Sequence, residues 1–150
     1  MNEILRSRTG RRVPARGPRT AKKPRKQHEF LEQSALFTWA RTPCVLAQYP
    51  QLDILSCSLN GVKLSTAQAG KARAAGMLSG EHDVKLPVAR AQYIGLSIEM
   101  KAGDGAPTEN QLWYGTRLEQ EGWCVRYCWT WTEARDEIVR YLSMPDGRVL

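Results

Sequence analysis

One run of alternating apolar and polar residues, residues 93–101, constrains the fold of this chain more than any other feature. Successive side chains of a β-strand point to opposite faces, so the even-numbered residues of the run would form one apolar face. Glu99 and Lys101 fall together on the other face, at the end of the run. The run therefore predicts a strand that carries an acid and a base opposite its apolar side.

A second strand-like run brings Asp83 toward this pair. It spans residues 83–89, and the link over 90–92 is short enough for an antiparallel hairpin. Such a hairpin gathers two carboxylates and the Lys101 ammonium in one place. Carboxylate oxygens are hard ligands that suit Mg²⁺ or Mn²⁺, and a lysine beside a metal can orient or deprotonate a water. The alternative is a weak ion pair between Glu99 and Lys101 on a solvated strand face.

Positive charge is concentrated at the N-terminus. Residues 1–27 hold ten basic residues and one acidic residue, a net charge of +9, whereas the other residues hold 12 basic and 14 acidic residues, a net charge of −2. The segment is rich in Gly and Pro and cannot form a core alone, so we expect a flexible arm that binds nucleic-acid phosphates. A solubilising tail or a targeting signal is the alternative. The predicted contact residues are Arg11, Arg12, Arg16, Arg19, Lys22, Lys23, Arg25 and Lys26.

The composition excludes several classes of protein. Hydrophobic residues make up 42% of the 150 residues, which is enough for one globular domain. No apolar run approaches the ~20 residues of a membrane-spanning helix, and no apolar segment follows the basic N-terminus as in a secretory signal. We therefore expect a cytoplasmic protein, with the nucleus as an alternative. The four cysteines form no C-x-x-C pair, which favours buried reduced thiols over a zinc site.

Helical and strand patterns alternate along the rest of the chain. This order favours an α/β fold, a mixed β-sheet flanked by helices on both faces. An Asn60–Gly61 turn follows the first predicted strand, and Gln111 stands three residues after Thr108, as in a capping box. The predicted elements are a helix over 28–41, a strand over 52–59, a helix over 66–75, strands over 83–89 and 93–101, a helix from Thr108 to Gly122, a strand over 123–130 and a helix capped by Thr132.

Several ordered motifs of residues 28–142 resemble the virus-type replication-repair nuclease (VRR-NUC) domain, a branch of the PD-(D/E)xK, restriction-endonuclease-like superfamily. The matching segments are HEFLEQSALFTWA, LDILSCSLNGVKL, AQAGKARAAGMLSGEHDVKLPVA, YIGLSIEMK and the region that begins PTENQLWYG. The chain departs from the family pattern at His82, where the family usually has a proline before the aspartate, and at Val62, where a glycine is frequent. The resemblance implies one nuclease domain between the arm and a short tail over 143–150.

The resemblance also implies a site for Mg²⁺ or Mn²⁺. Its predicted ligands are two carboxylates, a backbone carbonyl and, directly or through water, a carboxylate of the first helix: Asp83, Glu99, Met100 and Glu32. Lys101 would position or activate the attacking water. Gln111 would orient Lys101 or a phosphate oxygen, unless its side chain serves only as a helix cap.

The implied activity is metal-dependent hydrolysis of DNA phosphodiesters. The chain has no recognition-helix motif or zinc finger with which to read bases, so we expect cleavage of branched DNA, with Holliday junctions preferred. Small members of the family act as homodimers, which also suit a symmetric four-way junction. The alternatives are a fork, flap or nicking nuclease and a non-catalytic nucleic-acid-binding module.

Overall fold

The structure, a computed structural model, describes residues 25–58 and 64–147. The helices are α1 (Arg25–Ala40), α2 (Pro43–Gln48), α3 (Thr66–Ala74), α4 (Glu109–Gln120) and α5 (Trp131–Leu142), and a 3₁₀-helix spans Pro50–Ile54. The strands are β1 (Ser56–Cys57), β2 (Val84–Leu86), β3 (Gly95–Met100) and β4 (Trp123–Cys128).

The four strands form one mixed sheet in the order β1-β2-β3-β4. β2 pairs in antiparallel fashion with both β1 and β3, whereas β3 and β4 are parallel. A parallel pair needs a crossover connection, and α4 provides it between β3 and β4. The predicted α/β fold, a mixed sheet with flanking helices, is confirmed.

The apolar face of β3 lies in the centre of the core, against α1 and α5. Its buried residues are Leu96, Ile98 and Met100, and each such side chain contributes about 1.5–3 kcal/mol when it is removed from water. Ile94 precedes β3 and is 55% exposed, so the alternating run places three side chains in the core instead of four. α4 covers the opposite face of β3, which is the face that carries Glu99.

The predicted strand over 52–59 is wrong over its first part. Residues Pro50–Ile54 form the 3₁₀-helix, and over the described part of the predicted strand, up to residue 58, Ser56–Cys57 pair with β2. A 3₁₀-helix repeats every three residues, and Leu52 and Leu55 are both buried at that spacing. The apolar run is therefore accounted for by a helical turn followed by a very short strand.

Several predicted boundaries also change, and the strands predicted over 83–89, 93–101 and 123–130 are shorter, at Val84–Leu86, Gly95–Met100 and Trp123–Cys128. α1 begins at Arg25, so the last residues of the predicted arm are helical. Thr130, instead of Thr132, caps α5, because its side chain accepts a backbone N–H from the first turn of that helix at 3.2 Å. After α5, the tail stays in contact with the domain, since the Ala91 N–H donates to the Pro145 carbonyl at 2.7 Å.

Some predictions fall outside the described residues. One is the arm up to residue 24, which contains six of the eight predicted contact residues, from Arg11 to Lys23. The other is the Asn60–Gly61 turn. Lys26 belongs to α1 and is exposed. Within the two described ranges, no helix is long and apolar enough to cross a membrane.

The four cysteines are free thiols in two different environments. Cys124 and Cys128 are buried on β4, as the pattern predicted. Burial raises the pKa of Cys124 and raises that of Cys128 to about 12, so both thiols stay protonated at neutral pH. Cys44 and Cys57 are exposed, so the prediction of buried thiols is wrong for these two.

Candidate functional site

Asp83 and Glu99 lie opposite each other where β2 begins and β3 ends. Val84 pairs with Ile98, so the antiparallel register places the preceding residue, Asp83, opposite Glu99 on the same face of the sheet. Asp83 Oδ2 accepts the N–H of Met100 at 2.9 Å, which holds this carboxylate against the end of β3. The two strands thus bring both predicted carboxylates to one place.

Glu99 is buried with Lys101 as its charged partner. Their side chains are 1% and 7% exposed, and Lys101 Nζ donates to Glu99 Oε1 at 2.7 Å. The other oxygen, Glu99 Oε2, is buried without a hydrogen-bond partner in the part of the chain that the structure describes. Such burial excludes a solvated surface pair. It also leaves Oε2 able to bind a further ligand, because an unpartnered buried carboxylate oxygen is costly.

Burial raises the pKa of both carboxyl groups. The pKa of Glu99 is raised to about 8, mainly by burial and further by repulsion from Asp83. The Lys101 ammonium opposes this increase. Burial likewise raises the pKa of Asp83, although the Met100 N–H stabilises its ionised form. Two neighbouring carboxyl groups in this state retain a proton readily and are stabilised when a cation replaces it.

Gln111 connects the cap of α4 to Glu99. Gln111 Oε1 accepts the Thr108 N–H at 2.8 Å, and Thr108 Oγ1 accepts the Gln111 N–H at 3.3 Å, which completes a capping box. The other end of the amide, Nε2, donates to Glu99 Oε1, the same oxygen that accepts from Lys101. One amide thus uses its two ends for different partners: it caps α4, as the alternative predicted, and the group that it contacts in the site is Glu99 and not Lys101, the predicted partner.

Glu32 is held by a hydrogen bond at the start of α5. Its Oε2 accepts the Trp131 N–H at 2.7 Å and so ties α1 to the first residue of α5. The α1 carboxylate whose charge acts on both Asp83 and Glu99 is Glu29, one turn earlier. The sequence reasoning missed Glu29, although its position three residues before Glu32 on the same helix was a usable signal.

The donor set suits a hard divalent cation that keeps part of its water shell. Asp83 and Glu99 offer two carboxylates, one of them with an unpartnered buried oxygen, and the Met100 backbone lies beside them. Over residues 25–58 and 64–147, no three His, Cys, Asp or Glu residues form a group that could hold a metal ion. Mg²⁺ usually binds through one or two carboxylates and completes its octahedron with waters and phosphate oxygens. The residues present therefore fit such an ion.

His82 is the second residue that the sequence reasoning missed. Its side chain is fully buried, with Nδ1 3.0 Å from Ser97 Oγ and Nε2 3.0 Å from the Gln111 carbonyl oxygen. Burial is the main cause that lowers its pKa, which keeps the ring neutral at neutral pH. The sequence marked His82 only as a departure from the proline of the VRR-NUC pattern.

None of the protein-family models and none of the curated proteins compared with the sequence match it. A solved structure described as a VRR_NUC domain protein is similar to this one, with a TM-score of 0.64 and 22% sequence identity. The similarity covers 81% of this chain and 97% of that chain. The chain therefore has the fold of a VRR_NUC domain protein, as the resemblance of its motifs implied.

Proposed function

We propose that this protein is a metal-dependent endonuclease that hydrolyses phosphodiester bonds in branched DNA. The observation that carries the proposal is that Asp83, just before β2, lies opposite the buried pair of Glu99 and Lys101 at the end of β3, on a fold shared with a VRR_NUC domain protein. Paired carboxylates beside an ammonium group suit the hydrolysis of an anionic phosphodiester, because they can hold a cation and place a positive charge next to it.

Asp83 and Glu99 would hold Mg²⁺ or Mn²⁺, with the Met100 carbonyl as a further ligand. When bound, the ion would lower the pKa of a coordinated water and stabilise the charge that develops on the phosphate. Glu99 would first lose the proton that its pKa of about 8 allows it to keep at neutral pH. Its unpartnered Oε2 is the atom that supports this role most directly.

Lys101 would act on the attacking water or on the phosphate. Its ammonium has three protons, and one of them is used in the 2.7 Å hydrogen bond to Glu99 Oε1, so two remain for an incoming oxygen. Gln111 Nε2 donates to the same Oε1 and would keep the Glu99 carboxylate oriented while Oε2 binds the ion. Both side chains would thus fix the position of the carboxylate on which the site depends.

We propose branched DNA, with Holliday junctions preferred, as the substrate, and the charge distribution supports binding to DNA phosphates. The excess positive charge lies in the +9 arm, whereas the rest of the chain is −2, so binding would depend on the arm and on the cation site. Contacts to phosphates position a protein on DNA without reading its sequence, which suits recognition by shape. A homodimer would present two such sites to the symmetric strands of a four-way junction.

The test is cleavage of a labelled four-way junction in Mg²⁺ by the wild type and by Lys101→Met. Methionine keeps much of the buried stem of the lysine and removes its charge. We expect cleavage by the variant to fall by about 10²–10⁴-fold, while binding of the junction in Ca²⁺ or EDTA stays near the wild-type level. Lys71→Met, at an exposed lysine of α3, is the matched control and should cleave as the wild type does.

Equal cleavage by Lys101→Met and the wild type would refute the assignment of the active site. A wild type that binds the junction but cleaves no DNA in any divalent metal would instead be a non-catalytic nucleic-acid-binding module. Forks, flaps and nicked duplexes tested beside the junction rank the substrates, and faster cleavage of one of these would replace the junction as the preferred substrate.

A further inference from the structure

We propose that His82 is a positioning residue that holds Gln111 against Glu99. This inference rests on the function proposed above and concerns the residue at which the chain departs from the VRR-NUC motif. Among the described residues, the imidazole forms hydrogen bonds with Ser97 and Gln111 and with neither of the two carboxylates. It would act through the helix that carries Gln111.

The hydrogen bonds of His82 assign one neutral tautomer to the ring. Nε2 lies 3.0 Å from the Gln111 carbonyl oxygen, and a carbonyl only accepts, so Nε2 must carry the proton. Nδ1 is then an acceptor, and the Ser97 hydroxyl, 3.0 Å away, donates to it. Ser97 and His82 are both fully buried, so the pair is inaccessible to a substrate and holds position instead of attacking one.

This single ring joins the three parts of the chain that form the site. His82 is the residue before Asp83, and Ser97 lies two residues before Glu99 on the same face of β3. The third partner is the backbone carbonyl of Gln111, whose own amide donates to Glu99. A change at the ring would therefore move α4 relative to the carboxylate that Gln111 orients.

The packing of α4 is adapted to this contact. Gly115 lies one turn after Gln111, and a Cβ there would lie 2.4 Å from the Tyr127 hydroxyl oxygen and 3.1 Å from His82 Cε1. Glycine is unfavourable in a helix interior, so its presence here has a packing reason: it lets the imidazole and the tyrosine lie against the helix. The Tyr127 hydroxyl also donates to the Gln111 carbonyl, at 3.5 Å.

The test is the Mg²⁺ affinity of the folded, full-length protein, measured by calorimetry alongside urea unfolding. His82→Leu removes both hydrogen bonds of the ring, whereas His82→Gln keeps a donor that can reach the Gln111 carbonyl. We expect His82→Leu to weaken Mg²⁺ binding by about 10- to 100-fold, as for residues that orient metal ligands, and His82→Gln to restore most of it. In a Gln111→Ala background, His82→Leu should cause no further loss of affinity.

Three results would overturn the inference. They are wild-type Mg²⁺ affinity in His82→Leu, an equal loss in His82→Gln, and a loss from His82→Leu that persists unchanged in the Gln111→Ala background. If His82→Leu does not fold, Ser97→Ala serves as the second variant, because it removes the hydrogen bond that holds Nδ1 and so loosens the ring against the Gln111 carbonyl; wild-type Mg²⁺ affinity in Ser97→Ala would then overturn the inference. A wild type that binds no Mg²⁺ would contradict the proposed function as well, whereas a wild type that binds it while the variants do not differ would contradict only the role of His82.

Discussion

In the metal-free protein, the ionisation of Glu99 should destabilise the fold increasingly as the pH rises, and Glu99→Gln should abolish this effect. The pKa of Glu99 rises from its ordinary 4.5 to about 8, so the folded protein retains a proton that the unfolded chain releases. The stability contributed by this group is full below pH 4.5 and is lost as the pH rises through 8. The loss amounts to about 1.4 kcal/mol per pH unit, and to at most about 5 kcal/mol above pH 8.

Glutamine at position 99 keeps the hydrogen bonds of the glutamate but cannot ionise. Its amide oxygen can accept from Lys101 and Gln111, as Oε1 of Glu99 does, and its NH₂ group takes the place of the unpartnered Oε2. The variant should therefore come within about 1 kcal/mol of the wild type near pH 5. At pH 7 its free energy of unfolding should exceed that of the wild type by about 3 kcal/mol.

The assay is urea unfolding in EDTA from pH 5 to pH 9, followed by tryptophan fluorescence. Glu119→Gln, at an exposed glutamate of α4, is the control and should follow the wild-type curve. Added Mg²⁺ should stabilise the wild type at pH 8 and have little effect on Glu99→Gln, because the ion needs the ionised carboxylate. Parallel stability curves for the wild type and Glu99→Gln would refute the reasoning, since Glu99 would then titrate alike in the folded and unfolded chains.

Two further predictions concern the cap of α4 and the arm. Thr108→Ala should lower the free energy of unfolding by about 1 kcal/mol and leave Mg²⁺ affinity near wild type, because Gln111 Nε2 reaches Glu99 without the threonine side chain. A loss of affinity as large as that of Gln111→Ala would contradict this separation. Deletion of residues 1–24 should weaken junction binding and reduce its log–log salt slope by about 0.9 for each phosphate that the arm neutralises. An unchanged slope would show that the arm does not bind DNA.

Local patterns predicted the elements that carry the site. The alternation over 93–101 places Glu99 and Lys101 on one face because a strand repeats every two residues, and the structure confirms β3 with that parity. The spacing of Thr108 and Gln111 likewise predicted the start of α4. Both features depend only on neighbouring residues, so they can be read without knowledge of the tertiary fold.

Contacts between elements could not be read in this way. Glu29 and Glu32 are three residues apart on α1, and the packing of α1 on α5 engages Glu32 at Trp131, whereas the charge of Glu29 acts on Asp83 and Glu99. The partners of His82 lie 15 and 29 residues away, and no local pattern pairs them. The apolar residues of Pro50–Ile54 fit a strand as well as a 3₁₀ turn, and tertiary burial selects the turn.

The central claim is that Asp83 and Glu99 hold a divalent ion that cleavage requires. The most direct test is the rate of four-way-junction cleavage as a function of Mg²⁺ concentration, for the wild type and for Asp83→Asn. Asparagine can still accept the Met100 N–H, so the variant changes the charge of the site and keeps that hydrogen bond. The account predicts no wild-type cleavage in EDTA, saturation with Mg²⁺ and loss of cleavage in Asp83→Asn; cleavage in EDTA, or the same Mg²⁺ dependence in both proteins, would contradict it.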